Sequence, residues 1–100
     1  MTRGQGGRKG GKRQADSFVL QEHIEKGQFY FLSGKYDHAV EEFEKALSIT
    51  PENSEILYSL GVAYESANRI GEARDSYLLA LKYSPGHTRA KHHLDKLLEK

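Results

Sequence analysis

Histidine is the residue type best suited to bind a metal or transfer a proton near neutral pH, and this chain has five histidines and no cysteine. His92 and His93 are adjacent, so on a helix their side chains point about 100° apart and cannot easily share one metal ion. His87 lies one position too far from His92 for the i, i+4 spacing of helical zinc ligands. His23 and His38 are isolated. This spacing predicts surface or groove histidines, with no metal site and no cofactor.

Two other stretches contain residue types that could support catalysis. The run GGRKGGKR nearly fits the phosphate-binding pattern G-x-x-x-x-G-K-[ST], but Arg13 stands where the magnesium-binding hydroxyl is needed, and no strand precedes the run. The carboxylates of EEFEK, residues 41–45, are typical of a solvated helix face rather than an acid/base pair. The chain also lacks a G-x-S-x-G nucleophile elbow. We therefore expect no catalytic residue and no enzymatic activity.

The N-terminal segment, residues 1–15, differs in composition from the rest. Its first fourteen residues contain five glycines and five basic residues without an acidic one, whereas the remainder has ten basic residues against fourteen acidic ones. Such a segment is expected to be a disordered tail. Two interpretations stay open: a solvated tail, or a contact with RNA, an acidic protein surface or anionic lipid. The side chains that would make this contact are Arg3, Arg8, Lys9, Lys12 and Arg13.

The apolar runs of the chain are short. The longest are FYFL at Phe29–Leu32 and YLLAL at Tyr77–Leu81, whereas a membrane-spanning helix needs roughly 20 apolar residues. The basic N-terminus has no apolar stretch behind it, so a secretory signal is not expected. These features predict a soluble intracellular protein without a membrane span, cytoplasmic or nuclear.

The elements that must position any functional residue follow from an internal repeat with a constant offset of 34 residues. Phe43 returns as Tyr77, and the identical pairs are Gly27/Gly61, Tyr30/Tyr64, Ala39/Ala73, Ala46/Ala80, Leu47/Leu81 and Pro51/Pro85. Because the offset has no gap, one structural unit is used twice.

Each unit has the pattern of two helices. In the second copy, Leu57, Leu60, Gly61 and Tyr64 fall at i, i+3, i+4 and i+7, which is one stripe of a helix. Asn53 stands at the N-cap position before that helix.

Residue types at the helix ends support the same division. Gly34 and Asn68 occupy the same repeat position, and both types tolerate the left-handed conformation that ends a helix. Pro51 and Pro85 prevent continuation of the helices before them. Each unit is therefore predicted to be a helix, a tight turn, a second helix and a stop.

These residues carry a resemblance to the tetratricopeptide repeat family. G-x-x-Y followed by A-x-x-x-F/Y-x-x-A-x-x-x-x-P occurs in Gly27–Pro51 and again in Gly61–Pro85. The resemblance implies an all-α fold in which two helix-turn-helix repeats and a C-terminal capping helix form a right-handed superhelical array. The expected repeat domain covers residues 16–100, with repeats at about 20–53 and 54–87 and the capping helix at 88–100. His23 and Lys26 depart from the pattern, so Phe18, Val19 and Leu20 are candidates to anchor the first helix instead.

The resemblance also implies a concave groove, lined by the first helix of each pair, that holds a peptide or a helix of another protein. By repeat phase, the groove and its edge comprise Ile24, Gln28, Phe31, Tyr58, Val62, Glu65, Arg89, His92, His93 and Lys96. The alternative is that the apolar members of this set contact neighbouring helices or a truncated segment.

Some members of this family grip an acidic C-terminal carboxylate through a clamp of Lys, Asn and Arg. The corresponding positions here are Ile24, Gln28, Ser59, Arg89 and His93, and only Arg89 keeps the required charge. We therefore expect a partner with apolar or aromatic anchors rather than a clamped carboxylate.

The expected function is a non-enzymatic protein–protein interaction module, an adaptor or an assembly factor, that binds a peptide or helix with Phe31 and Tyr58 as anchors. One alternative is an RNA- or ribosome-associated adaptor that uses the basic tail. Another is a self-associating scaffold, a weak homo-oligomer formed through the open edge beside Phe18 or Leu97.

Overall fold

The structure is a computed structural model that describes the backbone of residues 2–99 and the side chains of residues 16–99. Within these residues the chain forms five α-helices: α1 (Thr2–Leu32), α2 (Tyr36–Ile49), α3 (Ser54–Ser66), α4 (Ile70–Tyr83) and α5 (Thr88–Leu98). α1 packs on α2 and α3 on α4, while α2 also contacts α3 and α4 contacts α5. The predicted all-α array of two helical pairs and a last helix is confirmed.

Helix α1 begins at Thr2, inside the segment for which the sequence predicts disorder. The side chains of residues 1–15 lie outside the described residues. The role of the basic tail residues and the boundary between tail and repeat domain therefore stay predictions.

The turns and the cap follow the local sequence signals. Gly34 and Asn68 have φ of 78° and 64°, so both adopt the left-handed conformation between the helices of a pair. The Asn53 side chain accepts a hydrogen bond of 3.1 Å from the amide of Ile56 and caps α3.

The glycines of the repeat leave room for an aromatic ring. A Cβ atom at Gly27 would lie 2.6 Å from Cε1 of Phe43, and one at Gly61 would lie 2.5 Å from Cε1 of Tyr77. Tyr77 is completely buried. In each repeat the aromatic ring therefore occupies the space that a Cβ atom of the glycine would need.

The start of the repeat region differs in part from the sequence expectation. Of the three predicted anchors of α1, Leu20 packs against the core, whereas Phe18 and Val19 are exposed. In addition, Nδ1 of His23 lies 2.7 Å from Oε1 of Glu42, which is buried in α2. The description of residues 41–45 as a fully solvated face was therefore wrong at Glu42, and His23 is not isolated.

Candidate functional site

An open cavity of about 290 Å³ lies between α1 and α3, with part of α2 as its floor. Its wall is apolar except for two side chains. The lining residues are Gln28, Phe31, Leu32, Phe43, Tyr58, Ser59 and Val62. Because Gln28 and Ser59 can both donate and accept hydrogen bonds, the cavity suits an apolar side chain flanked by polar backbone.

The cavity is positioned by the repeat itself. Gln28 and Phe31 are three residues apart on α1, and Tyr58 and Val62 are four apart on α3, so each pair shares one helix face. Both helices are first helices of their repeats, which places these faces side by side.

The cavity thus brings together four of the ten predicted groove residues: Gln28, Phe31, Tyr58 and Val62. Ile24 does not line the cavity, and it packs against the core. Three residues line the cavity and also pack against the core: Phe31, Tyr58 and Val62.

Sequence reasoning missed three lining residues. Phe43 enters the sequence analysis only as a residue of the repeat pattern, and Ser59 only as a clamp position. Leu32 is the last residue of α1 and is 84% exposed. Its apolar type at the end of the first helix was the available signal.

A polar cluster at one end of the groove connects α3, α4 and α5. The Tyr77 hydroxyl donates to Oε1 of Glu65 over 2.7 Å. Nδ1 of His93 lies 3.3 Å from the same carboxylate oxygen, and its Nε2 lies 3.3 Å from the Tyr58 hydroxyl. The contacts are satisfied when Nδ1–H of His93 donates to Glu65 and the Tyr58 hydroxyl donates to Nε2. His93 is therefore half-buried between helices rather than at a free groove edge.

Burial within this cluster raises the pKa of Tyr77 far above its ordinary range, and the hydrogen bond to Glu65 raises it further. Tyr77 consequently stays a neutral hydroxyl donor at physiological pH. It fixes the Glu65 carboxylate in place beside His93.

A second cluster holds the beginning of α5 against α3. Nδ1 of His87 accepts a hydrogen bond of 3.1 Å from the amide of Ala90, so its Nε2 carries the proton that is donated to Oε1 of Glu55 over 2.7 Å. Arg89 also donates to Glu55, and its guanidinium lies 4.8 Å from the centre of the Tyr58 ring. Burial opposes ionisation, but the hydrogen bonds from His87 and Arg89 outweigh it and hold the pKa of Glu55 below its ordinary value.

The two remaining groove candidates, His92 and Lys96, are exposed on α5 and do not line the cavity. Among the described residues, no three His, Asp or Glu side chains come close enough to hold a metal ion. In the same part of the chain, no helix is both long and apolar enough to cross a membrane.

Comparisons with known proteins show which family models and which proteins this chain is similar to. The chain matches a family model described as TPR repeat over residues 27–68 and one described as tetratricopeptide repeat over residues 54–87. It is 32% identical over 87 residues to tetratricopeptide repeat protein 14 of Mus musculus, a match covering 87% of this chain and 11% of that protein. It is also 32% identical over 68 residues to the peroxisomal targeting signal receptor of Candida albicans, covering 68% of this chain and 12% of the receptor.

The chain therefore spans about a tenth of the length of these two relatives. Among solved structures, it is similar to the first TPR domain of the human RPAP3 protein, with 20% identity, a TM-score of 0.45, and coverage of 81% of this chain and 91% of that one. The two family models together extend without a gap over residues 27–87, which contain both copies of the repeat. The chain belongs to the tetratricopeptide repeat family.

Proposed function

We propose that this chain is a non-enzymatic protein–protein interaction module, an adaptor or assembly factor, that docks a peptide or helix of a partner protein between α1 and α3. The coarse part of this function, protein binding, follows from the family. The finer part is the mode of docking: one large apolar side chain of the partner enters the cavity at Phe31, Tyr58 and Val62.

The observation that carries the proposal is the apolar cavity. Its volume of about 290 Å³ lies at the lower end of small-molecule pockets, so it suits a single side chain better than a cofactor. Complete burial of a Leu or Phe side chain contributes roughly 1.5–3 kcal/mol, enough to make one residue dominate the interface.

The polar groups around the cavity support an extended or helical peptide backbone beside that anchor. Gln28 is exposed and Ser59 is half-buried at the cavity wall, and each offers a donor and an acceptor to peptide groups. A relative of this chain is named as a targeting signal receptor, which fits the same class of function.

The test is selection of peptides from a displayed library on the immobilised chain, followed by calorimetry with the selected peptide. Phe31→Ala and Tyr58→Ala should each weaken binding by roughly tenfold or more, because each removes a wall of the cavity. Leu79→Ala, at an exposed position of α4, is the control and should leave the affinity unchanged. Unchanged affinity in both cavity variants, with thermal denaturation showing folded protein, would overturn the proposed site.

A further inference from the structure

We propose that α1 carries a second docking surface, separate from the cavity, that takes one amphipathic helix of a partner protein with basic residues at its centre. The surface, here called the edge stripe, consists of Phe18, Glu22, Glu25, Phe29 and Leu32. Of these, Leu32 also borders the cavity, and the other four do not line it.

The edge stripe is a continuous helix face. Its members follow one another at intervals of four, three, four and three residues, the spacing of a seam between two packed helices. Phe18, Phe29 and Leu32 are 78%, 65% and 84% exposed. Three large apolar side chains therefore stand in solvent on one face, with two carboxylates between them.

The repeat shows what shape of partner covers this face. At the repeat offset of 34 residues, Glu22 corresponds to Ile56 of α3, and Phe29 corresponds to Ala63. Ile56 and Ala63 are 4% and 0% exposed, and α3 packs on α2 from the preceding repeat. These two positions of the second repeat are thus buried on the helix that packs against α2, so the edge stripe has the geometry to receive a helix around Glu22 and Phe29.

The residue types of the edge stripe specify a helix different from α2. Phe29 is much larger than the Ala63 it corresponds to, so the partner needs a small residue opposite it. Glu22 replaces the apolar Ile56, and Glu25 adds a second carboxylate one turn away. Lys26 lies 3.5 Å from Glu22 at the margin, while Glu25 accepts a hydrogen bond of 3.1 Å from the neutral Gln21. Lys or Arg at the centre of the partner helix complements these charges.

Charge also argues against a second copy of the chain as the occupant. Pairing of two edge stripes about their midpoint, parallel or antiparallel, places Glu25 opposite Glu25, which is destabilising. In a second copy, the helix that corresponds to α2 and could cover the edge stripe in the same way is α4. That helix is already covered by α5 through the buried residues Ala90 and Leu94. A separate basic helix is therefore the occupant that fits.

Two synthetic helical peptides with the same leucine seam test this assignment, one with lysines and the other with glutamates at the centre. Fluorescence anisotropy with the full chain should show that the lysine peptide binds roughly tenfold or more tightly, because like charges across an interface cost binding free energy. The double substitution Glu22→Lys with Glu25→Lys should reverse that preference. Phe18→Ser with Phe29→Ser should abolish binding of both peptides.

The cavity variant Tyr58→Ala should bind the lysine peptide as the unchanged chain does, so failure of either proposed surface is recognised independently. Equal binding of the two peptides, or binding of neither, would overturn the proposal. A dimer in light scattering that dissociates on Phe29→Ser would assign the edge stripe to a second copy instead. Binding that appears only after removal of residues 1–15 would assign it to the chain's own N-terminal segment.

Discussion

At the scale of single residues, each repeat glycine lies directly against an aromatic ring. A Cβ atom at Gly61 would lie only 2.5 Å from Cε1 of Tyr77, so the ring fits there because glycine has none. Gly61→Ala should therefore lower the free energy of unfolding by roughly 1–3 kcal/mol through overpacking, measured by urea denaturation.

Gly71 is the matched control for this substitution. A Cβ there would meet nothing closer than the end of the Arg74 side chain at 3.9 Å. Since alanine is the better helix former, Gly71→Ala should leave stability unchanged or raise it by roughly 0.5–1 kcal/mol. Equal destabilisation by both substitutions would contradict the packing argument.

Glu42 determines a pH dependence at the same scale. Burial raises the pKa of this carboxyl, but hydrogen bonds and charges from His23 and Lys45 outweigh it, so the pKa in the folded chain lies below its ordinary value of 4.5. A lowered pKa contributes stability that is complete above the ordinary value and is lost as the pH falls through the folded value.

Glu42→Gln should consequently flatten the acid limb of the stability curve. Between about pH 5 and pH 3 the variant should lose less stability than the unchanged chain, as followed by circular dichroism during denaturation. Glu41→Gln, at the exposed neighbouring position, should retain the original slope. An identical acid slope in the Glu42 variant would show that the buried pair with His23 does not contribute.

At the scale of elements, α5 depends on its first turn. His87 caps the helix through Nδ1 and reaches Glu55 of α3 through Nε2, so one side chain both starts α5 and attaches it. His87→Ala should cost roughly 0.5–2 kcal/mol of stability and increase amide hydrogen exchange in α5.

Two comparisons separate capping from attachment. His87→Asn keeps an acceptor for the Ala90 amide and should recover most of the loss. His92→Ala, at an exposed position of the same helix, should have little effect. Equal losses in the Ala and Asn variants would mean that the bond to Glu55, and not the cap, holds α5.

At the scale of the whole molecule, RNA association through the basic N-terminal segment stays a prediction. The alternative of RNA association predicts that the intact chain binds RNA with an affinity that falls steeply with salt, since counterions are released from roughly one phosphate per basic contact. Deletion of residues 1–14 should abolish this binding and leave the affinity of the cavity for its peptide unchanged. Filter binding at several salt concentrations measures the RNA affinity, and calorimetry measures the peptide affinity. Salt-insensitive RNA binding, or none, would exclude this role.

Most of the fold was predictable because its signals are local. Glycine, alanine, aromatic and proline residues return at a constant offset, and caps such as Asn53 and turns such as Asn68 act within a few residues. The lining of the cavity was predictable only in part, since four of its seven residues were among the predicted groove residues. Repeat phase identifies which faces of α1 and α3 point the same way, but not how far Leu32 and Phe43 reach into the space between them.

The sequence by itself determined the repeated helical pairs, the turn and cap positions and the faces of α1 and α3 that line the cavity, because each depends on residues within one unit. Only the tertiary structure decided the partners of the histidines. His23 meets Glu42 across 19 positions, His87 meets Glu55 across 32, and His93 meets Glu65 across 28. These contacts join different helices, and their geometry depends on how the helices pack. For the same reason, the exposure of Phe18 and Phe29 became visible only once the helices had been assembled.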